Sequence, residues 1–435
     1  MVQQPIAASI FDINLPMRRV AFAFLTVLAT LLTIVPSARA QTFTVLHTFT
    51  GGGDGADPLA GLTFDRAGNL YGTAHTGGNS SVGTVFKLKP TGSGWLITPL
   101  YEFSSQGSGG ANPSSGVIFG PDGSLYGTAS TGGSGFGTVY KLQPPANACK
   151  TSVCYWTETV LYRFAAGSDG HQPTGNLIFD PAGNLYGTTQ AGGAFGYGTV
   201  FELTKSGGNW TESVLYSFAS GQDGNQPTDG VVIDSAGNLF GTTPYGGINN
   251  CQGGCGIVFE LTPSGSGWSE QILYRFAGVP DAQRPYAGLI IDSARNLYGA
   301  SFEGGVNGGG AVFELSPAGG SWNYSVLYNL SGSNNGPDAR LTMDSSGNLY
   351  GTTIDPSTVF ELSPSGGGWT YTDLHDFSGN DGIYPRGSLI LDGDGNLYGT
   401  TSMGGADGQG TAWELTPTSG FLHSNPGSFP FLQNF

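Results

Sequence analysis

The sequence predicts an all-β protein, a seven-bladed β-propeller of four-stranded blades, and three observations lead to this prediction. One pattern, approximately GLxxDxxGNLYGTT followed by GG, GTVFEL and WxxxxLYxF, recurs along the chain. Its short apolar runs are bounded by Gly, Pro, Asn and Asp, which is typical of strands and turns, and helical periodicity does not occur. The two ends of the chain carry complementary parts of the pattern.

The number of blades follows from one aromatic position of the repeat. Successive copies of this position are 55, 60, 54, 58, 52 and 48 residues apart, a spacing in the range of propeller blades. We therefore expect seven units. The seven aromatic residues are Tyr71, Tyr126, Tyr186, Phe240, Tyr298, Tyr350 and Tyr398.

Each unit contains four short runs with the pattern of strands. The first is apolar at successive positions, as in Leu289 to Ile291, which suits a strand buried on both faces. The second is the NLYGTT run, which follows an Asp-x-x-Gly-Asn hairpin turn. The third is VFEL, as at Val200 to Leu203, and the fourth extends from a Trp to the LYxF segment, as from Trp210 to Phe218.

The chain ends indicate how the ring closes. The fourth-strand motif first occurs at Leu46-His47, before any first strand, whereas the last unit stops after its third strand at Ala412 to Leu415. We expect Thr42 to Phe49 to form the outer strand of the last blade, which would leave no open edge in the ring. The alternative is an open β-solenoid, in which complementary ends would have no purpose.

Residues 1–40 have the features of a signal peptide. The apolar run 20–35 follows Arg18 and Arg19 and precedes Ala38-Arg39-Ala40, a small-x-small cleavage pattern. The run is shorter than the roughly 20 residues that a bilayer span needs, which disfavours the alternative of a transmembrane helix. We expect a secreted, extracellular or periplasmic protein with a propeller at 41–417 and a tail at 418–435. We expect no membrane span in the mature chain, and a monomer.

Composition excludes some partners and supports a large core. The formal net charge of -16 would repel a nucleic-acid backbone or an anionic membrane surface. Hydrophobic residues make up 38% of the chain and aromatic residues 12%, far more aromatic side chains than disordered chains carry. We therefore expect a folded, acidic, glycine-rich protein that binds no nucleic acid.

The four cysteines form two closely spaced pairs. Cys149 is close to Cys154, and Cys251 is close to Cys255 in the segment CQGGC. Each pair could close a small surface loop as a disulfide in an oxidising compartment. A zinc site is the alternative, although structural zinc sites usually bring ligand pairs at tighter spacing.

Propeller geometry assigns the loops to two faces. The loops between second and third strands, which carry the Gly-Gly pairs, share one face with the Asp-Gly-x-x-Pro connections between blades; we call it the loop face. The opposite face carries the Asp-x-x-Gly-Asn turns, and we call it the turn face.

On the loop face, His75, His171, Arg340 and Asp355 are candidates for ligand binding. Asp355 lies in the segment that replaces the Gly-Gly pair of blade six, and Arg340 precedes the first strand of that blade. Arg340 could bind an anionic group or pair with a nearby acid.

The sequence contains only weak signals of catalytic or metal-binding chemistry. The Asp of the hairpin turn recurs in six units, which indicates a structural carboxylate that caps backbone N–H groups. Asp392, Asp394 and Asn396 resemble the start of a calcium loop, but Met403 stands where the loop needs a Glu. We assign no catalytic residue and expect no cofactor, with calcium as the open alternative. His47 and His375 occupy the Tyr position of the fourth strand, which indicates packing residues.

The Trp residues before the fourth strands admit two interpretations. They could stack on sugars, but their fixed position in the repeat favours packing between blades. These residues are Trp95, Trp156, Trp210, Trp268, Trp322 and Trp369.

The repeat resembles that of a known family. NLYGTT followed by GG, GTVFEL and LYxF is similar to the tandem repeat of GloVer-type secreted bacterial proteins, the choice-of-anchor group, whose members end in different surface-anchoring signals. The resemblance covers residues 43–416 and all seven units, although the sixth lacks its Gly-Gly pair. It implies export and repeat identity, and it implies no catalytic residues. The first two strands are also similar to other propeller repeats, which is a likeness of fold only.

Two functions agree with these sequence features, and a third stays open. The first is a secreted, non-enzymatic propeller whose loop face binds an extracellular glycan or protein. The second is a secreted lyase, lactonase or glycan hydrolase with its site at the channel mouth, and the third is a purely structural envelope protein. Three or more converging acids or histidines at the mouth would favour the enzyme, whereas a mouth lined by Gly, Ser and Asn would favour binding.

Overall fold

The computed structural model describes residues 41–106, 108–146, 154–265, 267–332 and 336–416. Every regular element within these ranges is a strand, and the strands form seven antiparallel sheets with a four-stranded core, as the repeat predicts. The described residues contain no helix that is long and apolar enough to cross a membrane. The expected signal peptide and the tail 418–435 lie outside the described residues.

The first three blades have strands of similar length. Blade one consists of Thr63–Phe64, Leu70–Ala74, Thr84–Thr91 and Gly94–Glu102. Blade two consists of Ile118–Phe119, Leu125–Ala129, Thr138–Gln143 and Thr157–Arg163. Blade three consists of Ile178–Phe179, Leu185–Thr189, Thr199–Ser206 and Asn209–Ser217.

The other four blades repeat this plan. Blade four consists of Val232–Ile233, Leu239–Thr243, Ile257–Ser264 and Gly267–Arg275. Blade five consists of Ile290–Ile291, Leu297–Ala300, Gly308–Ala318 and Ser321–Ser331. Blade six consists of Thr342–Met343, Leu349–Thr353, Thr358–Ser365 and Gly368–Asp376. Blade seven consists of Ile390–Leu391, Leu397–Thr401, Thr411–Thr416 and Thr42–Thr48.

Three short strand pairs lie outside these sheet cores. Each joins the connection before a blade to the Gly-Gly loop of that blade. The pairs are Gly110–Ala111 with Thr131–Gly132, Gly224–Asn225 with Tyr245–Gly246, and Ala282–Gln283 with Glu303–Gly304.

The N-terminal strand completes the last blade. Thr42–Thr48 pairs antiparallel with Thr411–Thr416, which is the pairing that the complementary chain ends predict. Blade seven also meets blade one, because the Thr400 hydroxyl donates a 3.0 Å hydrogen bond to the Ala60 carbonyl. Phe49, which follows the N-terminal strand, is fully buried in a cluster shared by these two blades.

The second strand of every blade contains a glycine that the core requires. A Cβ atom at Gly187 would lie 2.7 Å from the ring of Phe201, which belongs to the neighbouring third strand. Any side chain at Gly187 would therefore collide with a ring that is itself fully buried. This contact explains why the motif reads LYGTT, with glycine between larger residues.

Aromatic side chains fill the spaces between blades. Phe164 of blade two packs edge-on against Phe201 of blade three at 5.3 Å between ring centroids. The Trp at the start of a fourth strand lies against the second-strand aromatic residue of a neighbouring blade, as Trp156 does with Tyr71 at 6.3 Å. These contacts support the packing interpretation of the Trp residues. The other such pairs are Trp210 with Tyr126, Trp268 with Tyr186, Trp322 with Phe240 and Trp95 with Tyr398.

The carboxylates of the turn face cap the hairpin turns, as their repetition predicts. One oxygen of Asp65 accepts hydrogen bonds from the backbone N–H groups of Ala67 and Asn69, each at 2.9 Å. The other accepts from the Asn69 side chain and from the Tyr71 hydroxyl, at 2.6 and 3.0 Å. Burial by itself raises the pKa of Asp65, but these hydrogen bonds outweigh it and leave that pKa below its usual value.

Candidate functional site

A ring of strained residues surrounds the central channel on the loop face. In six of the connections between blades, the residue before a Pro has φ between 54° and 58°. A β-carbon is disfavoured in this conformation, and so is a following Pro, so each position stores strain on the order of 1 kcal/mol. We call these residues the mouth ring; blade six has Gly336 in their place. The ring comprises Asp57, Asn112, Gln172, Gln226, Arg284 and Tyr384.

Hydrogen bonds between blades hold the mouth ring in this conformation. The Gln172 N–H donates to the Phe136 carbonyl of the preceding blade at 2.9 Å. The Gln172 carbonyl accepts from the Gln190 N–H of its own blade at 3.0 Å. The same donor contact joins Asn112 to Val82 at 2.7 Å. The backbone geometry is therefore repeated around the ring, whereas the side chains differ from blade to blade.

Inside the mouth ring lies a cavity of about 170 Å³, which we call the channel-mouth cavity. All seven blades contribute residues, mainly from the first and third positions after the connecting Pro. Ten of its fourteen lining residues have a polar side chain. The lining residues are Leu59, Ala60, Gly61, Ser114, Thr174, Asn176, Thr228, Asp229, Tyr286, Asp338, Ala339, Arg340, Arg386 and Ser388.

Arg340 forms an ion pair across the cavity. Its guanidinium lies 3.2 Å from Oδ1 of Asp229, which precedes the first strand of blade four. The same guanidinium donates to the Gly230 carbonyl at 3.3 Å, and Asp229 also accepts from the Gly288 N–H at 2.9 Å. A Cβ atom at Gly288 would lie within 3 Å of both charged groups, so glycine there permits the contact. The prediction that Arg340 pairs with a nearby acid is confirmed.

A second ion pair joins blades six and seven. The Arg386 guanidinium donates to Oδ2 of Asp338 at 2.7 Å. Burial raises the pKa of Asp338, and the nearby Asp229 carboxylate raises it further, while Arg386 opposes both effects. The two acids and two arginines of the cavity therefore neutralise one another.

The remaining polar lining is held by neutral hydrogen bonds. The Asn176 side chain accepts from the Gly116 N–H at 2.9 Å and lies 3.3 Å from Oδ1 of Asp229. The Thr174 hydroxyl donates to the Thr228 carbonyl of the next blade at 3.1 Å. Ser, Thr and Asn side chains dominate blades two and three, whereas charged groups dominate blades six and seven.

The predicted histidines lie on the loop face but do not meet. Nδ1 of His75 is 3.3 Å from the Pro113 carbonyl and 3.3 Å from the Ser114 hydroxyl, at the edge of the channel-mouth cavity. His171 lies two blades away, with its ring 5.9 Å from the ring of Phe136. Neither residue lines the cavity.

Asp355 is separate from Arg340. It lies on the exposed loop that replaces the Gly-Gly pair of blade six, and it does not line the channel-mouth cavity. The structure thus brings together only one of the four predicted ligand residues, Arg340, with groups that the sequence analysis did not single out. Those groups are Asp229, Asp338 and Arg386, which lie in three different connections.

The predicted calcium residues form an ordinary hairpin turn. One oxygen of Asp392 accepts from the backbone N–H groups of Asp394 and Asn396, and the other from the Asn396 side chain and the Tyr398 hydroxyl. This is the arrangement of the other blades. The described residues contain no group of three or more His, Cys, Asp or Glu side chains that could hold a metal ion.

One of the two predicted disulfides is fully described. Cys251 and Cys255 are bonded to each other in the Gly-Gly loop of blade four. Cys154 is also disulfide-bonded, and Cys149 lies outside the described residues. The zinc alternative is wrong for Cys251 and Cys255.

His47 and His375 do more than pack. Nε2 of His47 lies 2.9 Å from the Asp54 carboxylate, and Nε2 of His375 lies 2.9 Å from that of Asp381. Both acids belong to the blade connections, where Tyr hydroxyls make the same contact in other blades, for example Tyr162 with Asp169 and Tyr216 with Asp223. Alignment of the fourth-strand motif with the following Asp-Gly would have predicted this bond.

The loop face also carries most of the large apolar side chains that are exposed to solvent. Phe195 is 60% exposed and Val306 is 63% exposed, and both lie in Gly-Gly loops. Such exposure is common at surfaces that bind other molecules. The other exposed apolar residues of this face are Phe136, Tyr197, Val279, Tyr384 and Met403.

A family model for the Gloeobacter/Verrucomicrobia repeat matches residues 29–159, 154–253 and 249–425 of the chain. The chain belongs to this repeat family. The match extends over most of the sequence in three tandem segments and agrees with the resemblance seen in the repeat motifs. No curated protein matches the chain.

Three solved structures show different degrees of likeness to this chain. Virginiamycin B lyase from Staphylococcus aureus, in selenomethionine form, is 14% identical with a TM-score of 0.54, over 86% of this chain and 98% of that chain. A chain of a nidogen/laminin complex is 17% identical with a TM-score of 0.37, over 61% and 82%. A protein from Bacteroides uniformis provisionally named 6-phosphogluconolactonase is 13% identical with a TM-score of 0.47, over 76% and 86%. Of the three, only the likeness to virginiamycin B lyase has a TM-score above 0.5, and at 14% identity it shows the fold alone.

Proposed function

We propose that this chain is a secreted, non-enzymatic β-propeller whose loop face binds an extracellular glycan or protein. The observation that carries the proposal is the contrast between backbone and side chains at the channel mouth. The backbone conformation before the connecting Pro is the same in six of the seven blades, but the residue after that Pro changes around the ring. This residue is Leu59, Ser114, Thr174, Thr228, Tyr286, Asp338 and Arg386 in blades one to seven.

The charge pairing in the channel-mouth cavity supports binding over catalysis. A general base or nucleophile needs a free lone pair within reach of the substrate. Asp229 and Asp338 are each engaged by an arginine, and no histidine of the described residues lines the cavity. Two paired acids fall short of the three converging acids or histidines that would favour an enzyme.

One observation favours the alternative of a propeller enzyme at the same mouth. Burial raises the pKa of Asp338, and a carboxyl group with a raised pKa is a candidate general acid. A lyase, lactonase or glycan hydrolase of this kind would depend on Asp338, and Asp338→Asn would abolish its turnover. A binding protein would keep most of its affinity after the same substitution.

Export is supported by two features. The segment 1–40 has the pattern of a cleaved signal peptide, and the Cys251–Cys255 disulfide is of the kind that persists in oxidising compartments. The test is the mass of the protein recovered from the medium or periplasm after expression of the full chain. We expect an N-terminus at Gln41; a protein that keeps residues 1–40 in the cytoplasm would contradict export.

The binding proposal is tested on the exported protein with a glycan array and with crosslinking to proteins of the same cell surface, each with and without EDTA. The matched variants are Arg386→Ala at the mouth and Lys89→Ala on an exposed stretch away from it, because each removes one positive charge. We expect Arg386→Ala to weaken binding at least about tenfold and Lys89→Ala to leave it unchanged. Equal affinity for both variants would contradict the site, and a requirement for calcium would appear as loss of binding in EDTA.

A further inference from the structure

The Gly-Gly loop of blade four differs from its counterparts in length. Between Gly247 and Gly256 it has eight residues, 248–255, whereas blades one, three, five and seven have four residues in the same place and blade two has three. The insertion is closed by the disulfide between Cys251 and Cys255. A cross-link across so short a segment restricts it to few conformations.

This insertion forms one wall of a second cavity, which we call the blade-four pocket. Its volume is about 440 Å³, and its lining residues come from the blade connections on both sides of blade four and from the disulfide loop. Small-molecule sites in proteins commonly range from roughly 300 to 1,000 Å³. The lining residues are Asn225, Gln226, Tyr245, Gln252, Gly253 and Arg284, and none of them lines the channel-mouth cavity.

The pocket is rich in groups that can both donate and accept hydrogen bonds. Asn225, Gln226 and Gln252 each present an amide, which has two donors and one acceptor oxygen. Gln252 is exposed, and Asn225 and Gln226 are half-buried at the pocket wall.

The pocket carries no net charge. The Arg284 guanidinium donates to Oε1 of Glu303 at 2.9 Å, and the Gln283 side chain donates to the other oxygen at 2.8 Å. The guanidinium also lies over the ring of Tyr245, at 5.6 Å from its centroid. Because the cation is already neutralised, an anionic ligand gains little here, and a neutral polar ligand is favoured.

The walls of the pocket are preorganised. The Arg284 N–H donates to the Cys255 carbonyl at 2.9 Å, which ties the blade connection to the disulfide loop. The Tyr245 hydroxyl lies 2.7 Å from that of Tyr286, a residue of the channel-mouth cavity. Gly253 closes over the Tyr245 ring, since a Cβ atom there would lie 3.3 Å from the ring edge. Little ordering of the protein is needed when a ligand binds.

We propose that the blade-four pocket binds a neutral sugar residue of an extracellular glycan. Sugar hydroxyls donate and accept at once, which matches amide and guanidinium side chains arranged in a pocket of roughly mono- or disaccharide size. The proposal rests on the proposed function and specifies the class of ligand and the place where it binds. Blade four is the blade with the inserted, disulfide-closed loop, so the site has no equivalent in the other described Gly-Gly loops.

The experiment uses the exported chain with its disulfide intact and an array of neutral and uronic-acid glycans, followed by calorimetry with the best neutral glycan. Gln252→Ala tests the pocket, and Gln409→Ala is the matched control, because Gln409 is an exposed Gln in the corresponding loop of blade seven. We expect Gln252→Ala and Asn225→Leu to weaken binding by about fivefold or more and Gln409→Ala to leave it unchanged. A crystal soaked with the same glycan would show it against Asn225 and Arg284.

The outcomes distinguish a sugar site in the blade-four pocket from the more general proposal that the loop face binds a glycan or a protein. If a neutral glycan binds but Gln252→Ala and Asn225→Leu retain full affinity while Arg386→Ala loses it, the blade-four pocket is not the site and the channel mouth is. If no neutral glycan binds, or if only uronic-acid glycans bind, the sugar proposal is wrong, whereas a protein ligand of the loop face would still appear in the crosslinking experiment. Unchanged circular dichroism of Asn225→Leu controls for misfolding.

Discussion

The two faces of the propeller follow opposite rules. On the turn face, six blades place an Asp at the same position, and its carboxylate makes the same contacts to the turn, as in Asp65 and Asp392. On the loop face, the connections of six blades share one backbone conformation, but the side chains that they present differ in almost every blade. The contacts that repeat in the blades therefore stabilise the fold of each blade. The side chains that vary on a repeated backbone distinguish one blade from another.

The difference has a physical reason. The same hairpin turn has to form in each of the seven blades, so the same residues can serve at each turn. A ligand at the channel mouth meets all seven blades at once, and few molecules have sevenfold symmetry. Only side chains that differ around the ring can match an asymmetric ligand, which agrees with the placement of Arg340 opposite Asp229 and of neutral residues in blades two and three.

Blade two shows that the turn carboxylate is preserved through its contacts even where its position in the repeat changes. Gly120 stands where other blades have the turn Asp. Asp122, two residues later, accepts from the Ser124 N–H at 3.1 Å and from the Tyr126 hydroxyl at 3.2 Å, and it pairs with Lys141 at 2.6 Å. The carboxylate has moved along the chain, but it still binds the turn and the second-strand tyrosine.

The largest effect on stability is expected from removal of the N-terminal strand, which completes the sheet of blade seven. A chain that begins at Thr50 loses the partner of Thr411–Thr416 and the buried side chains Leu46 and Phe49. We expect the free energy of unfolding to fall by about 3 to 6 kcal/mol, since each of the two large side chains contributes roughly 1.5 to 3 kcal/mol. Urea unfolding measures the loss. A synthetic peptide of residues 41–49 should restore part of the stability, and a truncated chain as stable as the original would contradict the closure of blade seven.

The next effect concerns a single carboxylate of the turn face. Asp344→Ala removes hydrogen bonds to the N–H groups of Ser346 and Asn348, to the Asn348 side chain and to the Tyr350 hydroxyl. We expect a loss of about 2 to 3 kcal/mol in the free energy of unfolding and no change in ligand affinity. Asp394→Ala is the control, because the Asp394 side chain is exposed in a turn of the same kind, and it should cost less than about 0.5 kcal/mol. A similar loss from both variants would show that the turn carboxylate has no special contribution.

A smaller effect is expected from two glutamates of the fourth strands. Burial raises the pKa of Glu212 to about 7, helped by Asp169, and burial raises the pKa of Glu270 to about 7, helped by Asp223 and opposed by Arg275. A carboxyl whose pKa is raised on folding stabilises the protein below its unfolded pKa, and this contribution is lost as the pH rises. Stability should therefore decrease from about pH 4.5 to pH 7, by on the order of 1 kcal/mol for each residue after solvent screening.

The check on these glutamates is the pH dependence of urea unfolding for the double variant Glu212→Gln with Glu270→Gln. Gln keeps the shape of the protonated side chain without titrating, so the decrease between pH 4.5 and pH 7 should become shallower. An unchanged slope in the double variant would assign the pH dependence to other carboxylates.

The smallest change in stability, and the sharpest contrast between the two faces, is expected at the mouth ring. Gln172 has φ = 57°, a conformation that glycine adopts without steric cost. Gln172→Gly should change the free energy of unfolding by no more than about 1 kcal/mol, in the stabilising direction if relief of strain exceeds the added freedom of the unfolded chain. Ligand affinity should fall in Gln172→Gly and equally in Gln172→Ala. A similar destabilisation of more than about 1 kcal/mol in both variants would show that the Gln172 side chain stabilises the fold, because both variants remove it.

Much of the fold can be predicted from the sequence because the repeat shows the same local rules seven times. The hairpin turn with its capping Asp, the glycine of LYGTT and the Trp before the fourth strand all act within one blade or between neighbours. The complementary chain ends also predict the pairing of Thr42–Thr48 with Thr411–Thr416, since each end lacks what the other supplies. The partners of His47 and His375 are the acids Asp54 and Asp381, which follow them in the chain, and the Tyr position of the repeat does not by itself indicate these acids.

The candidate sites depend on something that a linear pattern does not contain. Asp229 and Arg340 are 111 residues apart and belong to blades four and six, and the curvature of the ring sets the distance between their charged groups. The blade-four pocket likewise needs the disulfide loop of one blade to meet the connections on both of its sides. By itself the sequence determined the strands, the blades, their number and their order, because backbone hydrogen bonding and core packing act locally and repeat. The tertiary structure alone decided which unlike side chains face one another across the channel, because that depends on how seven twisted sheets close into a circle.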